Sequence, residues 1–67
     1  MKFSQRLKEL RKENALSQSQ LAQQVGVSQS MIVRWESGEC EPTASNILKL
    51  SEVLNCSTDY LLGKKDI

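Results

Sequence analysis

The chain has 67 residues, 39% hydrophobic and 25% charged, with a formal net charge of +1 at pH 7. That length holds one domain, residues 1–67, around one small core, and the composition belongs to a globular domain rather than a disordered tail. The opening MKFSQRLKEL has no apolar leader and no apolar run nears membrane-spanning length, so the expected location is cytoplasmic, with no membrane partner.

Five helices joined by short turns are predicted, with nothing of period two, so the fold class is all-α. The first spans about Lys2 to Asn14. Phe3, Leu7 and Leu10 form its apolar stripe, Lys2, Arg6, Glu9, Lys12 and Glu13 fall away from it, and Asn14 can close it in a left-handed conformation. Ser17 opens the second helix with a capping box, Ser17-x-x-Gln20, and Leu16 and Leu21 stand at hydrophobic-staple positions. Leu21, Ala22 and Val25 are its buried stripe. Gly26 ends it, because a tight reversal needs a residue that tolerates positive φ.

Ser28 caps the third helix, with Ile32 and Trp35 inward and Gln29, Ser30, Val33, Arg34 and Ser37 outward; Gly38 finishes it. Thr43, after Pro42, caps a fourth helix running to about Leu54, with Ile47, Leu50 and Leu54 on one face. Ser57 caps a short fifth helix closed by Gly63, and residues 64–67 read as a polar tail. Leu48, Val53, Tyr60, Leu61 and Leu62 exceed the evident needs of one small core.

Charge is unevenly placed. Residues 1–34 carry six Lys or Arg against two Glu, whereas residues 35–67 carry three against six acids. A basic half and an acidic half make a dipolar molecule able to present its positive side to phosphates. Cys40 and Cys56 form no CxxC pair, and no histidine completes a metal spacing. Glu39, Cys40 and Glu41 are three adjacent loop residues, an arrangement that seldom converges on one ion. The two thiols read as reduced and structural, and the expectation is no metal, no cofactor and no evident small-molecule ligand.

The outer face of the third helix carries the functional signal. Gln29 and Ser30 sit in its first turn, where amide N–H groups are unpaired and the helix dipole is positive. Glutamine pairs bidentately with adenine, serine bonds to either class of base, and arginine reaches guanine O6 and N7 or a phosphate. Val33 on the same face suits a thymine methyl, and Gln18 lies beside a helix N-terminus that suits a phosphate. Two short helices meeting at Gly26, the second displaying such residues, read as a helix-turn-helix entering the major groove of double-stranded DNA.

The segment LSQSQLAQQVGVSQSMIVRWESG, followed by NILKLSEVLNCSTDYLLG, resembles the phage repressor and Cro family of helix-turn-helix domains, often called Xre-type, over roughly residues 3–63. The resemblance implies a compact five-helix, lambda-repressor-like domain that binds a DNA operator, usually as a homodimer on a partly palindromic site. On the family pattern Gln18, Gln29, Ser30 and Arg34 match positions that contact base edges. Ser28 matches one that touches base or backbone, and Ser17 and Ser37 match phosphate-contacting positions. Family members often join the first and third helices by a partly buried ion pair, here Arg11 with Glu36.

One departure stands out. Several relatives carry lysine or arginine in the loop after the recognition helix, where this chain has Glu39, Cys40 and Glu41. That implies weaker, more salt-sensitive binding, or a backbone contact made by loop amides and Thr43 instead. The expected function is sequence-specific regulation of transcription, with repression ahead of activation. The alternative is a helical protein-interaction module that keeps the fold without reading DNA. Catalysis is not expected: there is no histidine, no credible nucleophile–base pair and no glycine-rich phosphate loop.

Overall fold

A computed structural model describes residues 2–66. It contains α1 (Lys2–Glu13), α2 (Gln18–Val25), α3 (Gln29–Ser37), α4 (Ala44–Val53) and α5 (Thr58–Leu62), with no strand among the described residues. None of these helices is long and apolar enough to cross a membrane.

Each start from α2 onward is fixed by a hydroxyl. Ser17 Oγ accepts from Gln20 N at 3.0 Å while Gln20 Oε1 accepts from Ser17 N at 2.8 Å, a complete capping box. Ser28, Thr43 and Ser57 each accept from the amide three residues on, at 3.3, 3.3 and 3.0 Å. These bonds satisfy amides that the helix itself cannot pair. Gly26 takes φ 85°, sending its N–H back to Ala22 O at 2.8 Å and turning the chain into α3.

The end of α1 differs from the sequence expectation. The left-handed residue is Ala15, at φ 56°, not Asn14, and the helix stops at Glu13. Asn14 instead spends its side-chain amide on Leu10 O at 2.8 Å, which ties it to the helix it was expected to terminate. The reversal therefore falls one residue later, and Leu16 N reaches Arg11 O at 3.0 Å. The same device closes α4: Leu54 stays right-handed, Asn55 turns left-handed at φ 54°, and Cys56 N bonds Ser51 O at 3.0 Å.

One apolar cluster draws on every helix: Phe3, Leu7, Leu10, Leu21, Ala22, Val25, Ile32, Trp35, Leu50, Leu54 and Leu61. Phe3 and Trp35 meet edge to face, ring centroids 6.4 Å apart at 77°, an arrangement the ring quadrupoles favour. α3 packs against α1 and α2, α2 also against α4, and α5 bridges α1 and α4. Ile47, Val53 and Tyr60 pack against the cluster's rim. Leu61, counted above as surplus, is fully buried within it, because a five-residue helix turns that one side chain inward between α1 and α4. Leu48 and Leu62 remain exposed.

Arg6 also departs from its expected place in solvent: its side chain is only 13% exposed. It lies over the Tyr60 ring at 4.3 Å and donates to Tyr60 O at 2.6 Å. It also donates to Lys65 O and meets Asp66 Oδ1 at 3.2 Å. The polar tail is thus clasped to α1 as far as Asp66, while Ile67 lies outside the described residues.

Candidate nucleic-acid interface

α3 is anchored by its inner face. Ile32 and Trp35 are buried to within 1% and Met31 packs against the core, so the helix has little freedom to rotate. Its outer face is consequently fixed in space: Gln29, Ser30, Val33, Arg34 and Ser37 are all exposed. Val33 is 44% exposed, which places a branched apolar side chain in water beside polar neighbours.

The hydroxyls differ in what they can still offer. Ser17 accepts from Gln20 N and keeps its proton for an outside acceptor. Ser28 accepts from Met31 N and lies 3.1 Å from Ser30 Oγ, so those two hydroxyls share one bond at the tip of α3. Ser37 donates to Arg34 O at 3.0 Å and must give up that bond to donate to a phosphate. Thr43, on the loop side, accepts from Asn46 N and lies 3.2 Å from Ser45 Oγ.

Behind this face lies an ion pair. Arg11 Nε meets Glu36 Oε2 at 2.6 Å and Arg11 Nη2 meets Glu36 Oε1 at 3.2 Å, with the side chains 11% and 4% exposed. Arg11 Nη1 donates to Leu16 O at 2.9 Å, so the guanidinium also holds the α1–α2 turn. The sequence alone did not reveal a third member: Gln18 Nε2 donates to Glu36 Oε1 at 3.2 Å. The amide at the start of α2 is therefore held by the charge on α3, which orients its remaining donor and acceptor. Only a tertiary arrangement brings these residues, 18 positions apart, within reach. Arg34 likewise has a neighbour that sequence did not assign, Glu39, with Nε–Oε2 at 4.0 Å.

Two capped helices meeting at a left-handed glycine, the second held by its inner face and bare on its outer one, define a helix-turn-helix domain. Residues 7–61 match the family model described as "Helix-turn-helix", and the chain belongs to that family, of the Xre type. It is 45% identical over 60 residues to repressor protein C2 of Salmonella phage P22, and 38% identical over 64 residues to the CTXphi transcriptional repressor RstR of Vibrio cholerae. Those matches cover 90% and 96% of this chain but only 28% and 57% of the relatives, so the chain spans a fraction of their length. The fold is similar to that of the P22 c2 repressor crystallised with synthetic operator 9T, with TM-score 0.89 and 41% identity over 94% of this chain and 96% of that one.

Proposed function

We propose that this chain is a sequence-specific DNA-binding regulator of transcription, a repressor that seats α3 in the major groove of an operator. The observation that carries the reading is the outer face of α3, where Gln29, Ser30, Val33 and Arg34 stand exposed on a helix whose other face is locked in the core. In this reading Gln18, Gln29, Ser30, Val33 and Arg34 meet base edges, Ser28 meets base or backbone, and Ser17, Ser37 and Thr43 meet phosphates. Phosphate contacts set the register and groove contacts read the sequence, so the mechanism requires no catalysis, metal or cofactor. Likeness to the P22 c2 repressor, solved in complex with synthetic operator 9T, supports the DNA partner. It acts in the cytoplasm as one domain and, on a partly palindromic site, as a homodimer.

Selection from a random duplex pool tests this directly and yields the half-site spacing. Against the selected duplex, Gln29→Ala is expected to weaken binding by about 1–3 kcal/mol and to leave binding to unrelated DNA almost unchanged. Equal loss on every duplex would remove Gln29 from base reading.

A second reading, docking of a partner protein, draws on Leu48 and Leu62, which are 57% and 37% exposed. Sedimentation with and without duplex separates the two: a protein-binding module shows no mass increase on adding DNA.

A further inference from the structure

The loop after α3 is acidic where a phosphate-binding loop would be basic, and its first carboxylate lies beside Arg34, with both side chains more than half exposed. The α3 terminus is closed by backbone bonds, Glu39 N to Arg34 O at 2.9 Å and Gly38 N to Trp35 O at 3.3 Å, with Gly38 at φ 82°. Ser37 Oγ, donating to Arg34 O, also accepts from Glu39 N at 3.4 Å. The backbone of Glu39 is thus fixed to Arg34, beside whose side chain its own carboxylate lies. The contact is made through Arg34 Nε, at 4.0 Å from Glu39 Oε2.

We propose that Glu39 is a specificity-determining residue that positions Arg34 for bases and withholds it from phosphates; the proposal rests on the function proposed above. Two effects follow from the geometry and act in the same direction. A carboxylate on the Nε side leaves the Nη1 and Nη2 edge of the guanidinium open, and this edge is the fork that takes the two major-groove acceptors of guanine. The same carboxylate offsets part of the guanidinium charge, which supplies the sequence-independent attraction to phosphates. Any duplex offers phosphates, but only the right sequence offers the paired acceptors. Glu39 therefore penalises indiscriminate binding more than cognate binding.

This also revises the expected salt response. A carboxylate beside Arg34 lowers the number of phosphates neutralised and counterions released, so binding depends less steeply on salt than with a basic loop, not more.

The experiment compares wild type, Glu39→Gln, Arg34→Ala, the double variant, and Glu41→Gln as a control for loop charge. Each is titrated with the duplex selected from the random pool and with a mixed-sequence duplex, from about 50 to about 200 mM salt. Glu39→Gln is expected to tighten binding to mixed sequence by about two- to fivefold, the range of an exposed ion pair. The selected duplex should gain less, so the affinity ratio falls. The slope of log affinity against log salt should steepen by about one on mixed sequence. In the Arg34→Ala background these changes should disappear. Equal tightening on both duplexes, persistence without Arg34, or the same effect from Glu41→Gln would each overturn the proposal, since each describes simple repulsion of DNA. Wild type that selects no sequence removes the functional reading and this proposal together. Wild type that selects a sequence, with a ratio indifferent to Glu39, removes this proposal alone.

Discussion

Glu36 is the charge with least room to change. It is 4% exposed, receives Arg11 through two nitrogens and Gln18 through one, and sits on the helix that carries the proposed reading face. A buried pair of this kind adds little net stability over a well-packed apolar pair, but deleting one partner strands the other. Glu36→Ala is therefore expected to cost about 3–5 kcal/mol in urea unfolding, a large share of the roughly 3–10 kcal/mol available to a domain of this length. An unchanged melting temperature would show that the pair is idle. Cys56 is a quieter case. Burial pushes its thiol pKa up by desolvation, so the folded protein keeps that proton to higher pH than the unfolded chain does. Its contribution to stability is complete below the ordinary thiol range and is lost as pH rises through the raised value. At pH 8 the thiol should alkylate more slowly in the folded protein than in urea, as mass spectrometry would record.

At the scale of helices and turns, the sequence was most informative where the physics is local. A hydroxyl three residues before an amide, or a glycine where φ must be positive, acts over a few residues, and Ser17, Ser28, Thr43, Ser57, Gly26 and Gly38 all sit where they were expected. The apolar stripes of α1 and α3 were legible for the same reason: helical periodicity alone sorts Phe3, Leu7, Leu10, Ile32 and Trp35 inward. The turn after α1 was misplaced by one residue, because two neighbours competed for the left-handed position and Asn14 had a better use for its amide. Ala15 pays for that outcome with a conformation that costs an L-residue about 1–2 kcal/mol. Ala15→Gly is expected to relieve it and, after the roughly 0.5–1 kcal/mol entropy cost of glycine, to raise stability by up to about 1.5 kcal/mol. A thermal melt shifted upward by a few degrees would record this, and a lowered midpoint would refute it.

Across the whole molecule, what the sequence concealed were meetings between distant segments. The Gln18–Glu36 bond, the inward turn of Leu61 and the grip of Arg6 on the tail each depend on how helices pack, and no periodicity encodes them. The exposed outer face of α3 was visible as a set of residue types. The ion pair of Arg11 with Glu36 behind it was legible from the resemblance, whereas the Gln18 bond to Glu36 and the carboxylate of Glu39 beside Arg34 were not. The grip of Arg6 has a structural counterpart at Gly63, where an added Cβ would lie 2.8 Å from Lys2 Cβ, so the last helix ends directly against the start of the first. The first turn of α1 and the close of α5 accordingly shelter one another, so loosening either is expected to uncover the other and the two to open together.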